Sequence, residues 1–411
     1  MTAPTSISIG EVGTSIGAAA LFVVGLVLAV FALYLVVLVL AALLHPRRKA
    51  LERARSETRL GVVVPAHDEA GSIAACVDSI RAQTYPRELV EIVVIADNCT
   101  DETAAAAAAA GAEVLVRNEP KARGKGQALR WAFDRLLAGE RPPDAVVVVD
   151  ADSAAVPTFL EALVLQLETG AEVVQGESLL ADDGTRDGAL RAAAFLLVNR
   201  ARPLGKAALG LPASLSGNGM LFTRDALLAH PWTAFTSAED VEYHVQLLLA
   251  GVRPAFAPGA VLRSPPAPHA RAAEEQQLRW EGGKLHVARA YGGRLLAAAA
   301  RERSLSLAFS ALELSLPPVG FLAAGAVVTA AVGGALVAVG VVGIWALTPS
   351  LVVLGALPLY VLVGLRAAAA PRSAYAALAR SPLFVVRKTM TAYRLLRFRA
   401  DSWVRTERPT P

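Results

Sequence analysis

The protein has 411 residues, of which 54% are hydrophobic and 18% charged, and its formal net charge is +4. This composition excludes a disordered chain, because it offers ample apolar surface to bury, and the presence of only Cys76 and Cys99 excludes a disulfide scaffold. An ordinary soluble domain carries roughly 25% charged residues, so either the core is unusually large or part of the chain lies in lipid.

The first predicted element is a membrane anchor. Residues 16–44 carry no charge, and this run exceeds the roughly 20 residues that cross a bilayer core. No basic residue precedes the run, which argues against a cleaved secretory signal, whereas five basic residues follow it within residues 47–55. By the positive-inside rule, we expect an anchor over residues 1–45 with its N-terminus outside, and a basic linker over residues 46–57 on the cytoplasmic side.

Strands alternate with helices after this linker. The predicted strands cover residues 60–64, 90–96, 113–117 and 145–149, and the predicted helices cover residues 69–83, 103–110 and 127–137. This alternation predicts a parallel, doubly wound sheet in a cytoplasmic domain. In such sheets, ligands bind beyond the carboxyl ends of the strands.

Acidic residues follow three of these strands. They lie within residues 65–69, 97–101 and 150–152, so three acidic clusters are expected at one edge of the sheet. An acidic edge suits a divalent metal that carries a phosphorylated ligand. No G-x-G-x-x-G follows the first strand, which excludes a dinucleotide site, and residues 123–126 do not form a Walker A loop.

The chain ends in a second apolar block and a basic tail. Residues 305–366 predict a transmembrane hairpin with spans at about 318–346 and 349–365, and Glu313 is the only charge before Arg366. The tail, residues 367–411, is rich in arginine and therefore expected on the cytoplasmic side. Within it, residues 382–399 predict an amphipathic helix on the inner leaflet; a helix packed on the soluble domain is the alternative.

The ordered motifs resemble those of family 2 glycosyltransferases, in particular the membrane-embedded synthases of cellulose, chitin oligosaccharides, hyaluronan and poly-N-acetylglucosamine. The resemblance covers roughly residues 58–290. The residues that carry it are Asp97, Gly124-Lys-Gly126, Asp150-Ala-Asp152, Ser216-Gly-Asn-Gly219, Glu239-Asp240 and Gln276-Gln-Leu-Arg-Trp280. It implies a GT-A fold with a mixed, mostly parallel sheet over residues 58–270 and an interfacial segment over residues 271–304. About three transmembrane helices and interfacial amphipathic helices complete the expected architecture.

The resemblance implies a donor site for a nucleotide sugar. Asp97 would contact the base or ribose, and Glu69 would border the same pocket, although a solvated position at a helix N-terminus is its alternative. Lys125 is a further candidate for donor binding. Asp152 would ligate Mg²⁺ or Mn²⁺ across the diphosphate, and Asp150 would contact the sugar or ribose and share the metal. For Asp150 and Asp152, the alternative is a purely structural role in a turn.

The resemblance also implies a catalytic base. Asp240 would take the proton of the acceptor hydroxyl during an inverting transfer, and its neighbour Glu239 is the second candidate for that role. A capping role at a helix N-terminus is the alternative for Asp240.

The remaining motifs point to the acceptor and the diphosphate. Gly217 and Asn218 would lie beside the acceptor. Arginine can bind a diphosphate through a fork of hydrogen bonds, and an indole ring can stack under a sugar. The corresponding motif residues are Gln276, Gln277, Arg279 and Trp280. An interfacial helix with an aromatic anchor beside lipid is their alternative.

These features predict an inverting glycosyltransferase at the inner membrane face. The expected donor is a UDP-hexose or UDP-N-acetylhexosamine, and the expected acceptor is a growing saccharide or a lipid, as in polysaccharide or cell-envelope synthesis. The predicted spans are fewer than those of long-polymer synthases, so transfer of one sugar to make a glycolipid stays open. A non-catalytic nucleotide-sugar-binding membrane protein and a transporter component are further alternatives. The arginines flank apolar stretches, so the net charge does not indicate nucleic acid.

Overall fold

The computed structural model describes residues 9–45, 57–267 and 269–380. The strands are β1 Leu60–Ala66, β2 Val90–Asp97, β3 Glu113–Arg117, β4 Ala145–Val148, β5 Ala154–Ala155, β6 Val173–Leu180, β7 Met220–Thr223 and β8 Ala255–Ser264. The helices of the first half are α1 Ile9–Leu44, α2 Ile73–Arg81, α3 Thr103–Ala109, α4 Lys125–Ala138, α5 Phe159–Leu167, α6 Arg186–Leu196 and α7 Arg202–Ala208. Those that follow are α8 Arg224–Ala229, α9 Glu239–Leu249, α10 Ala270–Arg301, α11 Leu305–Leu314, α12 Val319–Ala338, α13 Thr348–Ala367 and α14 Arg372–Ala379.

Three short helical turns join these elements. Two are 3₁₀ turns, at Arg87–Leu89 and Ile344–Leu347, and one is a π-helical turn at Leu197–Ala201 that connects α6 to α7. The basic residues of 47–55 and the predicted amphipathic helix at 382–399 lie outside the described residues.

The eight strands form one mixed sheet in the order β3-β2-β1-β4-β7-β6-β8-β5. The four strands predicted from the sequence form its parallel half, β3-β2-β1-β4. The antiparallel strand β7 then joins β4 to β6, and β6 pairs in parallel with β8. The expected mixed, mostly parallel sheet is therefore confirmed. Strands β1, β2 and β4, which the acidic clusters follow, are parallel and end at the same edge of the sheet.

Helices cover both faces of the sheet because its central strands are apolar on both sides. On β1, Val62 and Val64 point into a core that includes α2 and α5, whereas Val63 points into a second core with α4 and α9. The side chains of Ala145–Val148 in β4 are fully buried, as the unbroken apolar run predicts. This double layer fixes the strand ends and therefore the position of the loops that follow them.

Helix α2 begins later than the sequence predicts. The predicted helix started at residue 69, but the amides of Ser72 and Ile73 both donate to the Glu69 carbonyl oxygen, so residues 69–72 form a turn. The polar loop after β1 is consequently longer than expected, and Glu69 belongs to that loop.

Three helices are long and apolar enough to cross a membrane among the described residues: Ala19–Leu44, Val319–Ala338 and Ile344–Ala367. They pack together around Leu35 of α1, Leu322 of α12 and Val353 of α13. The first span of the predicted hairpin is shorter than expected, because α12 ends at Ala338 and a turn precedes Ile344. Large apolar side chains such as Val27 and Leu33, each about half exposed, cover the outer face of α1.

Glu313 has a buried partner that the sequence did not indicate. Its carboxylate, on α11, accepts a hydrogen bond from Nζ of Lys206 on α7, and Nζ also donates to Oγ of Ser214 at 2.7 Å. Lys206 is only 2% exposed. The single acidic residue of the second apolar block is thus half of a buried ion pair between the sheet domain and α11, so it gives no support to a transport role.

We expect Lys206→Met to destabilise the protein by about 3 kcal/mol, because it leaves Glu313 charged and buried without its partner. The double variant Lys206→Met, Glu313→Leu removes both charges and is expected to recover most of that loss. Thermal unfolding of detergent-solubilised protein measures both effects. Equal destabilisation in the single and double variants would contradict the role of the ion pair.

Candidate active site

A cavity of about 1280 Å³ opens at the carboxyl ends of β1, β2 and β4. Every site residue predicted from the sequence lines it. On the donor side these residues are Glu69, Asp97, Lys125, Asp150 and Asp152, and on the remaining walls they are Gly217, Asn218, Glu239, Asp240, Gln276, Gln277, Arg279 and Trp280. The fold therefore gathers into one cavity residues that are spread over more than half of the chain.

Asp97 ends β2 and is held by an arginine that the sequence analysis missed. Nη1 of Arg117, at the end of β3, donates to Oδ1 of Asp97 at 2.5 Å, and Nδ2 of Asn98 donates to the same oxygen at 2.9 Å. Burial raises the pKa of Asp97, and the ion pair with Arg117 opposes that shift. The sequence signal that could have predicted this ion pair is a basic residue at the end of the neighbouring strand, in register with Asp97.

The loops after β1 and β2 are tied together by hydrogen bonds. Oδ2 of Asp101 accepts the amide of Ala70 at 3.1 Å, and Oδ1 of Asp68 accepts the amide of Thr100 at 2.6 Å. Asp68, Cys99 and Asp101 also bring potential metal-ligand atoms within 4.8 Å of one another. The loop hydrogen bonds account for the closeness of the two aspartates, so the grouping is explained without an ion.

Lys125 lies at the centre of the acidic cavity. Its Nζ donates to Oδ1 of Asp150 at 2.5 Å and to the carbonyl oxygen of Gly217 at 2.5 Å. Burial disfavours its charge, but the negative charges of Asp150, Glu239 and Asp240 outweigh this effect and raise the pKa of Lys125. The lysine thus offsets part of the repulsion among the carboxylates.

Asn218 positions the loop that carries Asp150 and Asp152. Its side chain is buried, its Oδ1 accepts the Asp150 amide at 3.0 Å, and its Nδ2 donates to Oγ of Ser153 at 2.9 Å. Oγ of Ser153 in turn lies 3.4 Å from Oδ1 of Asp152. Both polar ends of the Asn218 side chain are therefore used within the protein, which makes it a support for the aspartate loop.

Glu239 and Asp240 form the first turn of α9. The residue that caps this helix is Ala238, so Asp240 is not the capping residue; its Oδ1 accepts the amide of Val241 at 2.8 Å. Burial and the neighbouring Asp240 raise the pKa of Glu239 to about 7. Burial also raises the pKa of Asp240, while the Val241 amide and Lys125 oppose that shift.

We expect Glu239→Gln to stabilise the protein at pH 8 by ~1–2 kcal/mol and to leave its stability at pH 5 almost unchanged. The folded-state pKa of Glu239, about 7, exceeds the ordinary value of 4.5. The folded protein therefore favours protonated Glu239, and this contribution is lost as pH rises through 7, whereas Gln stays neutral. Thermal unfolding at the two pH values measures the difference, with Glu302→Gln as the exposed control. A gain that is the same at both pH values would contradict the assignment.

Two glycines in the cavity lining allow close approaches that a larger residue would block. A Cβ on Gly126 would lie 2.3 Å from the carbonyl oxygen of Ala234, so a larger residue cannot fit where α4 meets the loop before α9. Gly217 has a φ of +78°, and a Cβ there would lie 3.2 Å from Oδ2 of Asp240 and 3.6 Å from Nζ of Lys125. The missing side chain at Gly217 keeps the space above Asp240 open.

We expect Gly217→Ala to lower, by at least ~10-fold, the transfer activity that the sequence motifs predict, because the new methyl group would displace the Asp240 carboxylate or block what approaches it. Gly210→Ala is the matched control, since Gly210 also has a positive φ of +65° but open space around its Cβ position. Initial rates of nucleoside diphosphate release compare the two variants. Similar losses in both would mean that backbone strain alone explains the effect.

The Gln-Gln-x-Arg-Trp motif lies on the long helix α10, which forms the outer wall of the cavity. The Trp280 ring is 45% exposed and lies 6.1 Å from the Phe195 ring of α6. Tyr291, further along α10, donates to Oε1 of Glu242 at 3.2 Å, and Oε2 of Glu242 accepts the amide of Phe235 at 3.1 Å. Helix α10 is thus linked through α9 to the loop that precedes Glu239.

A family profile described as glycosyltransferase-like family 2 matches residues 58–283. Among curated relatives, the low-salt glycan biosynthesis hexosyltransferase Agl6 of Haloferax volcanii is 37% identical over 93 residues, which are 23% of this chain and 21% of the relative. Glucosyl-3-phosphoglycerate synthase of Mycolicibacterium paratuberculosis is 39% identical over 126 residues, which are 29% of this chain and 36% of that protein. The chain thus spans only about a fifth to about a third of these relatives.

A solved structure resembles nearly the whole chain. It is the mannosyltransferase PcManGT of Pyrobaculum calidifontis, in complex with GDP-Man and Mn²⁺. The TM-score is 0.50 at 19% identity, and the match covers 90% of this chain and 96% of the other. At this level of identity, the likeness concerns the fold.

Proposed function

Because the chain belongs to the glycosyltransferase-like family 2, we propose that this glycosyltransferase uses its cavity to transfer a sugar, with inversion, from a nucleotide sugar to an acceptor at the inner membrane face. The observation that carries the proposal is the convergence of Asp97, the Asp150 and Asp152 pair, and the Glu239 and Asp240 pair on one cavity around Lys125. In this proposal, Asp97 binds the donor, the Asp150 and Asp152 pair binds a metal, and the Glu239 and Asp240 pair supplies the catalytic base.

The donor would lie along the ends of β1, β2 and β4, with its nucleoside beside Asp97. Arg117 holds the Asp97 carboxylate in place, so this group can accept a hydrogen bond from the base or ribose without first having to be ordered. Glu69 borders the same end of the cavity. A UDP-hexose or UDP-N-acetylhexosamine is the donor that we propose.

The Asp150 and Asp152 pair fits a divalent metal. Carboxylate oxygens are ligands that Mg²⁺ and Mn²⁺ prefer, and Asn218 and Ser153 hold the loop that presents them. When bound, such an ion neutralises charge on the leaving diphosphate. Lys125, paired with Asp150, would contribute a second positive charge to the same diphosphate.

Asp240 is the base that we propose. In the transfer, the acceptor oxygen bonds to the anomeric carbon while the bond from that carbon to the diphosphate breaks, and the hydroxyl proton passes to Asp240. The Val241 amide favours ionised Asp240 and fixes one of its oxygens, and the open space at Gly217 leads to the other. Glu239, with a pKa of about 7, is only partly ionised at neutral pH.

The membrane part of the proposal rests on the three apolar helices and their exposed faces. An outer surface of large apolar side chains on α1, α12 and α13 would be unfavourable in water. The basic residues of 47–55 support a cytoplasmic position for the sheet domain in this proposal. The acceptor is then a saccharide or a lipid that reaches the membrane surface.

The proposal is tested with purified protein in lipid nanodiscs, a panel of UDP- and GDP-sugars, and Mg²⁺ or Mn²⁺. Nucleoside diphosphate release that requires one of these sugars and a metal is the expected result. No release with any sugar, in protein that folds normally, would overturn the proposed function.

A further inference from the structure

One wall of the cavity belongs to no motif that the sequence analysis singled out. It is the face of α6 and the following π-helical turn, and four of its residues line the cavity at successive helical turns. In chain order they are Asp187, Arg191, Phe195 and Val198. Residues three and four apart share one side of a helix, so they form a continuous strip, which we call the α6 strip. The strip is polar at its first half and apolar at its second.

An aromatic residue of α10 packs beside the apolar half of the α6 strip. Val198 is 44% exposed, Trp280 on α10 is 45% exposed, and the Phe195 and Trp280 rings lie 6.1 Å apart. Leu180 at the end of β6 lines the same cavity. These side chains present apolar surface in the cavity that also holds the carboxylates, and covering that surface with an apolar group is favourable.

The apolar half of the strip lies against the apolar helices. Leu197 and Ala201, on the other side of the π-helical turn, pack in one core with Val39 of α1 and Leu365 of α13. A Cβ on Gly364 would lie 2.5 Å from Cδ2 of Leu197, which shows how closely α13 approaches this turn. The π-helical turn therefore has the cavity on one side and, on its other side, the bundle that we place in the membrane.

We propose that the apolar half of the α6 strip binds the apolar chain of a membrane-lipid acceptor whose head group carries the hydroxyl that receives the sugar. This inference rests on the proposed function and selects its acceptor class. The head group lies at Asp240, and the chain extends past Trp280 and Val198 towards the bundle. The hydroxyl oxygen bonds to the anomeric carbon, the carbon–diphosphate bond breaks, and the proton passes to Asp240. A saccharide acceptor has no apolar chain to cover Val198 and Leu180.

The test compares acceptors with and without an apolar chain. The lipid acceptors are diacylglycerol, phosphatidylglycerol and dodecyl β-glucoside in nanodiscs, and the soluble acceptors are glycerol and methyl β-glucoside. Transfer of radiolabelled sugar is followed by partition between chloroform and water. We expect label in the chloroform phase, with kcat/KM for dodecyl β-glucoside at least ~10-fold above that for methyl β-glucoside. Label confined to soluble products, or donor hydrolysis without transfer to any lipid, would overturn the inference.

Variants separate this inference from the proposed function. Val198→Asn is expected to remove the ~10-fold preference for dodecyl β-glucoside over methyl β-glucoside, whereas Val198→Leu retains this preference. Leu228→Asn is the matched control, because Leu228 is 59% exposed on α8 and does not line the cavity. An effect of Val198→Asn no larger than that of Leu228→Asn would overturn the role of the strip. If the unsubstituted protein shows neither transfer nor donor hydrolysis, the proposed function itself is rejected.

Discussion

Asp240→Asn is expected to lower kcat for sugar transfer about 10³-fold while the affinity for the donor changes little. The asparagine keeps the shape of the side chain and an oxygen for the Val241 amide, but it cannot take the acceptor proton. Initial rates with saturating donor measure kcat, and calorimetric titration with the nucleoside diphosphate measures binding.

The control for this variant is Asp225→Asn, which removes a carboxylate that is 87% exposed on α8. Glu239→Gln separates the two acidic neighbours, because it neutralises the residue that precedes the base. If Asp240→Asn keeps its activity and Glu239→Gln loses it, the base is Glu239 and the assignment of Asp240 is wrong.

Asp152→Asn is expected to lower transfer at least ~10²-fold and to weaken the dependence of the rate on Mg²⁺ or Mn²⁺. The physical reason is that a neutral amide oxygen attracts a divalent cation less strongly than a carboxylate does. The rate is measured as a function of Mn²⁺ concentration, and electron paramagnetic resonance measures Mn²⁺ bound in the presence of the nucleoside diphosphate.

Asp101→Asn is the matched control for the metal site. Asp101 belongs to the other group of potential metal ligands, with Asp68 and Cys99, and the loop hydrogen bonds explain why these residues lie close together. An asparagine at position 101 can still accept the hydrogen bond from the Thr103 amide. We expect this variant to bind Mn²⁺ as the unsubstituted protein does. Loss of Mn²⁺ binding in Asp101→Asn, with retention in Asp152→Asn, would move the metal to the other group.

Local patterns were sufficient to predict most of the elements. Strands such as Glu113–Arg117 were predicted with the bounds that the structure has, because an apolar run between turn residues is a local signal. The three apolar helices were predicted for the same reason, since a long uncharged run needs no partner to be recognised. The acidic clusters could be placed at one edge because parallel strands end on the same side of a sheet.

The partners of the site residues could not be predicted in this way. Lys125 and the Gly217 carbonyl oxygen that accepts its hydrogen bond are 92 residues apart, and the pairing of Arg117 with Asp97 depends on β3 lying beside β2. Asn218 lines the cavity, and the hydrogen bond by which its side chain supports the Asp150 loop joins residues 68 positions apart. Apart from the register of Arg117 with Asp97, these contacts have no sequence period or spacing that would mark them.

The sequence by itself determined where the chain is apolar, where strands alternate with helices and which carboxylates follow the strands. Only the tertiary structure decided how those charges are balanced, with Lys125 at their centre and Lys206 paired to Glu313 over 107 residues of separation. The physical reason is that hydrophobic periodicity is a property of neighbouring residues, whereas the energy of a charge depends on what surrounds it in space. The excess of hydrophobic residues over an ordinary domain is accordingly explained by continuous apolar runs in the sequence. The chemistry of the cavity instead depends on contacts between residues that are distant in the sequence.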